Sequence, residues 1–336
     1  MTSSPLRIGI LGAAKIAPWA LVKPAQARSD VAVTAVAARD PDRARAFAAE
    51  QGIANVADSY QALIQRDDVD LVYVALPAGS HAEWTIKALD AGKAVLCEKP
   101  FAMNLGEAQA MVDASQRNGR PLFEALHYRH HPVMFEAIEL VQSGALGELQ
   151  SLEAVFDVPI AYSETELRWQ KALGGGSLMD LGTYCLHAVR MLAQSEPTVL
   201  SASAQMQHGV DAALEATLAF GGGVTAKISS SMVPDRMVSQ LTAIGSLGRL
   251  DITNFIAPQI GCRSALTLGG KVQELPIDPV ATFEAQLEHV VQVMRGQCQP
   301  IVGGTDSLAH MGLIDEIYRM ADPKVAAQMS DRSDVS

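Results

Sequence analysis

The chain is poor in cysteine, and the cysteines that it has are scattered. Cys97, Cys185, Cys262 and Cys298 occur among 336 residues without any C-x-x-C spacing. Zinc sites and disulfide frameworks are marked by closely or regularly spaced cysteines. The sequence therefore argues against a metal site and gives no indication of disulfide bonds.

Positive charge is also scarce, since the formal net charge is -11 and no long block carries one sign. Nucleic acids and anionic membranes attract basic patches, so we expect neither as a partner. No apolar run approaches the roughly 18 residues of a membrane span. The segment "MTSSPLR" leads directly into the first strand and lacks the features of a signal peptide. We expect a soluble, cytoplasmic protein.

What the chain does have is length and apolar content. Hydrophobic residues make up 49% of its 336 residues, which is enough for two domains. We predict a first domain over 1–125 and a second over 126–336. In the first, uniformly apolar strands alternate with helices; the strands are "RIGIL", "VAVTAVA", "DLVYVAL", "KAVLC" and "RPLFEAL". This pattern is typical of an open, doubly wound parallel sheet that is covered by helices on both faces.

The second region has a different order of elements. A helix, a strand and a second helix over 177–194 precede several strands in succession, and two helices near 282–295 and 305–321 close the chain. Gly221–Gly223 links two of these strands as a hairpin would. Successive strands with tight turns predict an antiparallel sheet. The fold class is therefore α/β, with a parallel sheet in the first domain and a mostly antiparallel one in the second.

The first strand runs into a glycine turn that resembles a dinucleotide-binding loop. The pattern G-x-G-x-x-G/A is matched by Gly12, Ala13, Ala14, Lys15, Ile16 and Ala17, with Ala14 at the middle glycine. Because the turn follows a strand and opens a helix, its N–H groups suit a pyrophosphate. The alternative is an ordinary strand-to-helix turn without a ligand.

The end of the second strand indicates which dinucleotide would bind. An NAD site commonly places an acid there, whereas this chain has Ala38 and Arg39, with Arg43 one turn further on. Two guanidinium groups suit a 2′-phosphate, so NADP(H) is favoured over NAD(H). Asp40 is expected to cap the next helix. The alternative is that both arginines belong to a solvated helix start.

Two further motifs carry residues suited to catalysis. "CEKPFAMN" places Lys99 at the carboxyl end of a strand, where open α/β sheets bind ligands. "LGGGSLMDLGTYCLHAVRML" spaces Asp180, Tyr184 and His187 at i, i+4 and i+7, on one helix face. Alternatively, Asp180 bonds a nearby backbone N–H and His187 is a core histidine.

These motifs, together with "LPAGSHAEWTIKALDAGKAVLCEKP" and "HYRHHP", resemble the Gfo/Idh/MocA family of NAD(P)-dependent oxidoreductases over nearly the whole chain. The resemblance implies a Rossmann domain and a C-terminal α/β domain with an open, mostly antiparallel sheet. That sheet often forms the dimer interface. We therefore expect a homodimer or homotetramer through this sheet, held by apolar positions on its outer face.

The resemblance also implies roles for individual residues. Lys99 would touch the substrate oxygen and the nicotinamide. Tyr184, where the inositol dehydrogenase branch has histidine, is similar to the branch of glucose–fructose oxidoreductase, dimeric dihydrodiol dehydrogenase, NADP-xylose dehydrogenase and deoxysugar ketoreductases. Further implied cofactor contacts are Ala38, Leu76, Pro77, His81, Glu98 and Trp169, and the substrate contacts are Lys99, Tyr128, Asp180, Tyr184 and His187. The family's P-N-x-x-H reads Pro77-Ala78-Gly79-Ser80-His81 here, so the asparagine is missing.

The implied reaction is hydride transfer between NADP(H) and a hydroxyl or carbonyl carbon of a sugar, polyol or dihydrodiol. Tyr184 would exchange the proton, Lys99 would stabilise charge on the oxygen, and Asp180 would orient Lys99 or a substrate hydroxyl. Three alternatives remain: a non-catalytic dinucleotide sensor, a redox-assisted glycosidase with bound NAD, and a structural partner-binding protein. The presence of Lys99 and Tyr184 argues against the first and third, and Arg39 argues against the second.

Overall fold

The computed structural model describes residues 4–321, so the ends of both expected domains, 1–3 and 322–336, lie outside the described residues. The chain divides into two compact units. Of the described residues, the first unit contains 4–126 and Phe283–Leu308, and the second contains His127–Thr282 and 309–321. The expected division into 1–125 and 126–336 does not include this return of the chain to the first unit.

The first unit contains a six-stranded parallel sheet. Its strands are β1 (Leu6–Leu11), β2 (Val31–Ala37), β3 (Asn55–Val56), β4 (Leu71–Val74), β5 (Ala94–Cys97) and β6 (Leu122–Glu124). They are arranged in the order β3-β2-β1-β4-β5-β6. The chain therefore adds strands first on one side of β1 and then on the other, which confirms the doubly wound sheet. The two-residue β3 was not predicted.

Helices connect these strands, and their ends follow the capping chemistry of the sequence. They are α1 (Lys23–Gln26), α2 (Pro41–Gln51), α3 (Tyr60–Ile64), α4 (His81–Asp90) and α5 (Leu105–Asn118). Asp40 caps α2 as predicted, because its carboxylate accepts from the N–H of Asp42 at 2.9 Å. Asn104 caps α5 in the same way, and Gly119 ends it in the left-handed conformation.

The second unit contains an eight-stranded sheet. Its strands are β7 (Leu149–Asp157), β8 (Thr198–Gln207), β9 (Val210–Ala219), β10 (Thr225–Ser231), β11 (Val238–Gly245), β12 (Gly248–Thr253), β13 (Arg263–Leu268) and β14 (Lys271–Leu275). The order is β14-β13-β12-β11-β7-β10-β9-β8. Among the described strands of this sheet, only the pair β7–β10 is parallel, so the sheet is mostly antiparallel, as predicted. Gly221–Gly223 joins β9 to β10, and β13 and β14 were not predicted.

Helices cover one face of this sheet. Helix α7 (Thr183–Ala193) packs on β7, β10 and β11, and α6 (Pro132–Gln142) packs on α7. Leu152, Ala154 and Phe156 point to the covered side and are buried. The intervening Glu153 is exposed and pairs in register with Lys227, which is also exposed. The outer face of β7 therefore carries both the charged Glu153 and the apolar, half-buried Val155, so the expected apolar positions occur there beside charged ones.

Two helices close the described chain, α8 (Thr282–Met294) and α9 (Thr305–Ala321). The apolar side of α8 completes the core of the first unit, where Leu287, Val290 and Val291 pack in one cluster with Ile8 and Ile10. This burial explains why the segment returns to the first unit. Among the described residues, every helix is too short or too polar to cross a lipid bilayer.

Candidate active site

The cofactor motifs meet at the carboxyl edge of the parallel sheet. Leu11, the last residue of β1, pairs with Ala37 on one side and with Val74 on the other. Val74 in turn pairs with Cys97. The segments that follow these strands therefore leave the sheet at one edge, beside the point where the strand order reverses. Open α/β sheets bind their ligands in this crevice.

The loop after β1 requires glycine at its first position. Gly12 has φ +104°, and a Cβ there would lie 2.4 Å from the carbonyl oxygen of Ala75. Within residues 4–321, the backbone N–H groups of Ala13 to Ile16 donate to no carbonyl. They precede the helical turn Pro18–Val22 that leads into α1. Free N–H groups at the start of a helix fit a pyrophosphate, and Ala14 adopts its conformation without a positive φ.

Arginine side chains stand where an NAD site would have a carboxylate. Arg43 donates from Nη2 to the carbonyl oxygen of Ala13 at 3.2 Å, so its charge lies on the loop. Arg39 is exposed, and its backbone N–H donates to the Tyr60 hydroxyl at 3.1 Å. Asp40 is used as the helix cap, which leaves the end of β2 to the two guanidinium groups. This arrangement fits a dinucleotide that carries an additional phosphate.

His81 connects two of the loops at this edge. Its Nε2 lies 2.8 Å from the carbonyl oxygen of Leu76, and its Nδ1 lies 2.9 Å from that of Pro100. The ring is buried, and burial lowers the pKa of His81. His81 therefore holds the Leu76–Pro77 loop to the loop that carries Lys99, and its ring faces the protein interior.

Lys99 leaves this edge on a restrained backbone. The Tyr73 hydroxyl donates to Glu98 Oε1 at 2.5 Å, and the Lys99 N–H donates to Glu98 Oε2 at 3.3 Å. The bond from Lys99 to Pro100 is cis, and the Lys99 side chain is half-buried. Glu98 thus fixes the start of the loop. Its side chain faces Tyr73 and the Lys99 backbone.

In the second unit, Tyr184 lies near the start of α7 among aromatic rings. Its hydroxyl is 3.4 Å from Nε2 of His127, and the rings of Tyr128 and Phe156 contact its ring edge to face. Tyr184 is 6% exposed. His127 is the first residue of "HYRHHP" and was not predicted as a site residue. Its pairing with Tyr184 could not be predicted from the sequence, because the two residues are 57 positions apart.

Tyr128 and His187 lie behind Tyr184. The Tyr128 hydroxyl is 2.6 Å from Nδ1 of His187, and both side chains are completely buried. The ring of His187 also contacts that of His310, whose Nε2 is 2.8 Å from the Thr183 hydroxyl. These residues support the Tyr184 ring and present no open surface to a ligand.

Asp180 lies in a π turn, Leu178–Gly182, that precedes α7. It forms an ion pair with Arg168, with 2.9 Å between Nε and Oδ2. The three residues predicted on one helix face therefore have different surroundings, since Asp180 pairs with Arg168 while Tyr184 and His187 contact Tyr128. Arg168 was not predicted.

Trp169 follows Arg168 and is buried in its own loop. Its indole N–H donates to the carbonyl oxygen of Ile160 at 3.1 Å, and its ring contacts Tyr162 and His208. Trp169 was expected to touch the cofactor. The structure places its ring inside the second unit, where it stabilises the loop that presents Arg168.

A buried carboxylate that was not predicted anchors the π turn. Asp211 accepts from the N–H of Leu178 at 2.7 Å, from the Ser177 hydroxyl at 3.1 Å and from the Tyr318 hydroxyl at 2.9 Å. Gly176 lies so close that a Cβ would be 2.1 Å from Oδ1. Burial raises the pKa of Asp211 to about 6. The sequence feature that could have indicated this residue is an aspartate at the start of the otherwise largely apolar strand "VDAALEATLA".

Comparison with known proteins agrees with this architecture. Residues 6–126 match the oxidoreductase family with NAD-binding Rossmann fold, and residues 135–251 match the Gfo/Idh/MocA C-terminal domain. The chain is 32% identical over 327 residues to D-xylose 1-dehydrogenase (NADP(+)) 2 of Haloferax volcanii, covering 96% of this chain and 100% of that relative.

It is also 35% identical to dTDP-3,4-didehydro-2,6-dideoxy-alpha-D-glucose 3-reductase of Saccharopolyspora spinosa, covering 89% of this chain and 92% of that protein. Among solved structures, it is similar to KijD10, a 3-ketoreductase of Actinomadura kijaniata in complex with NADP and TDP-benzene. The TM-score is 0.88 at 29% identity, covering 94% of this chain and 98% of that one. The chain therefore belongs to the Gfo/Idh/MocA family of oxidoreductases.

Proposed function

We propose that the protein is an NADP(H)-dependent oxidoreductase that acts on a hydroxyl or carbonyl carbon of a sugar, polyol or dihydrodiol. The observation that carries the proposal is the position of Lys99 after β5, at the same carboxyl edge of the sheet where the dinucleotide loop follows β1, with β4 between the two strands. The named relatives are a xylose dehydrogenase and a deoxysugar 3-reductase, which supports a carbohydrate-like substrate.

The cofactor is assigned from the first unit's own residues. The loop from Gly12 to Ile16 would hold the pyrophosphate, and Arg39 and Arg43 would hold the 2′-phosphate. The NADP in the name of the Haloferax relative and in the KijD10 complex supports this assignment. When bound, the nicotinamide accepts or supplies the hydride.

The protein's side chains transfer the proton of the reacting oxygen and stabilise the negative charge that develops on it. In reduction, Tyr184 donates its phenol proton to the carbonyl oxygen, and the Lys99 ammonium stabilises the negative charge that develops on that oxygen. Oxidation uses the same groups in reverse. The ion pair of Asp180 with Arg168 offers acceptors and donors that suit a neighbouring substrate hydroxyl.

A substrate screen tests this proposal. Sugars, polyols and dihydrodiols are incubated with NADP+ and with NAD+, and the absorbance of the reduced cofactor is followed, with Tyr184→Phe as the control. We expect net reduction of NADP+ by at least one of these classes. Binding of NADP(H) without turnover of any class would favour the dinucleotide sensor, and product release without net cofactor reduction would favour the glycosidase.

A further inference from the structure

We infer that His127 is the proton partner of Tyr184: its Nε2 takes up the phenol proton during substrate oxidation and returns it during reduction. The inference rests on the proposed function, because it assumes that Tyr184 exchanges a proton with the substrate. His127 acts through Tyr184 and is therefore a positioning residue.

The first observation is the geometry of the pair. The Tyr184 hydroxyl and His127 Nε2 are 3.4 Å apart, and the two rings meet edge to face with 5.8 Å between their centroids. Both side chains are buried, so bulk water does not compete freely for this contact. Hydrogen bonds between catalytic groups are often long in ligand-free proteins and shorten when the reacting complex forms.

The second observation is a partner on the other side of the imidazole. His127 Nδ1 is 2.8 Å from the hydroxyl of Thr282, the first residue of α8, which is completely buried. If Nδ1–H donates to Thr282, Nε2 carries the lone pair that accepts from Tyr184. The bond made by one ring nitrogen thus sets the state of the other.

This tautomer gives a balanced proton path. In oxidation, the proton of the substrate hydroxyl passes to the Tyr184 oxygen while the phenol proton passes to His127 Nε2. The imidazole becomes an imidazolium and later releases its proton to water, and the hydride goes to the nicotinamide. Two titratable groups of the second unit lie behind the pair: Tyr128, which contacts the Tyr184 ring, and His187, which is bonded to Tyr128.

The tautomer is tested without substrate. In protein labelled with ¹⁵N-histidine, the His127 resonances are assigned by their loss in His127→Asn. We expect the proton on Nδ1 at neutral pH, a shift of the Nε2 resonance in Tyr184→Phe, and a mixture of tautomers in Thr282→Val that Thr282→Ser reverses. A proton found on Nε2, or an Nε2 resonance indifferent to Tyr184→Phe, would overturn the inference.

Kinetics provide the second test, with the substrate found by the screen. His127→Asn and His127→Phe should lower kcat for oxidation about tenfold or more, while the dissociation constant of NADP(H) stays within about twofold. The acidic limb of the pH profile, where the imidazole is protonated, should move or disappear. His208→Asn is the matched control, because His208 is exposed and its φ of 52° suits asparagine.

The outcomes separate the two proposals. If Tyr184→Phe is inactive but both His127 variants keep the wild-type pH profile, His127 has no part in proton exchange and the proposed function stands. If Tyr184→Phe keeps its kcat, the proposed function fails. Should the His127 variants unfold, as judged by circular dichroism, Thr282→Val and Thr282→Ser give the same pH-profile test with His127 in place.

Discussion

Arg43 places its guanidinium on the dinucleotide loop, through its bond to the carbonyl oxygen of Ala13. This position of the Arg43 guanidinium suits a phosphate group that binds beside the loop. Arg39 stands at the end of β2 and adds a second charge at an exposed position. We therefore propose that specificity for the 2′-phosphate depends on these two residues.

Replacing both Arg39 and Arg43 with alanine should raise the dissociation constant of NADP(H) at least about tenfold, because hydrogen bonds to charged groups contribute roughly 1.5–3 kcal/mol each. The dissociation constant of NAD(H) should stay within about twofold. Arg45→Ala is the control, since Arg45 lies on the same helix and pairs with Asp42 in solvent. Both constants can be measured by fluorescence titration, and equal losses for the two cofactors would contradict the assignment.

At the residue scale, the sequence predicted those residues whose role depends only on their neighbours in the chain. Gly12 is required by the backbone of its own turn, and Asp40 caps the helix that it precedes. His127 and Arg168 could not be predicted in the same way. Their partners, Tyr184 and Asp180, come from separate segments, and only the folded second unit brings each pair together.

At the scale of elements, Asp211 on β9 fixes the π turn that presents Asp180 and leads to Tyr184. Three donors satisfy the carboxylate, yet burial raises its pKa to about 6 from an ordinary 3.8. The native state therefore binds a proton more tightly than the unfolded state. The resulting stability is fully present below about pH 3.8 and is lost as the pH rises through about 6.

Urea unfolding of the wild type and Asp211→Asn at several pH values between 7 and 4 tests this linkage. The free energy of unfolding of the wild type should rise relative to that of the variant as the pH falls, by up to roughly 3 kcal/mol. Other titrating groups affect both proteins alike, so the difference isolates Asp211. Asp113→Asn, on an exposed face of α5, is measured in parallel as the control for an aspartate-to-asparagine change as such. A difference between the wild type and Asp211→Asn that does not change with pH would refute the assignment.

Element prediction failed where the pattern was too short or too polar. β3 has only two residues, and β14 reads "KVQEL" with most of its side chains exposed. Neither has an apolar face that a sequence pattern could reveal. The long apolar strands and the capped helices were predictable because burial requires runs of apolar residues and capping requires particular residues at the helix ends.

At the scale of the whole molecule, we propose that the chain associates through the second sheet. The outer face presents the charged Glu153 and Lys227 in its centre beside the apolar Val155, so the contact would include charged groups. Sedimentation velocity at micromolar concentration should show a dimer or tetramer, and the association should weaken as salt screens the charges. A monomer at low and at high salt would contradict the proposal.

The return of α8 to the first unit could not be derived from the sequence. Its apolar residues have a helical period, but that period does not say which sheet they cover. In the structure they complete the core around Ile8 and Ile10. A single domain boundary in the sequence therefore cannot describe the first unit, because α8 near the end of the chain packs with its core.

The most direct test of the proposed chemistry is kcat of Tyr184→Phe, Lys99→Ala and the double variant on the substrate found by the screen. Tyr184→Phe removes only a hydroxyl, so its kcat should fall about 10²–10⁴-fold with the cofactor still bound. Lys99→Ala should fall at least as far, and the double variant should lose less than the product of the two, because the groups act as a unit. A Tyr184→Phe enzyme with near wild-type kcat would contradict the proposed role of the tyrosine.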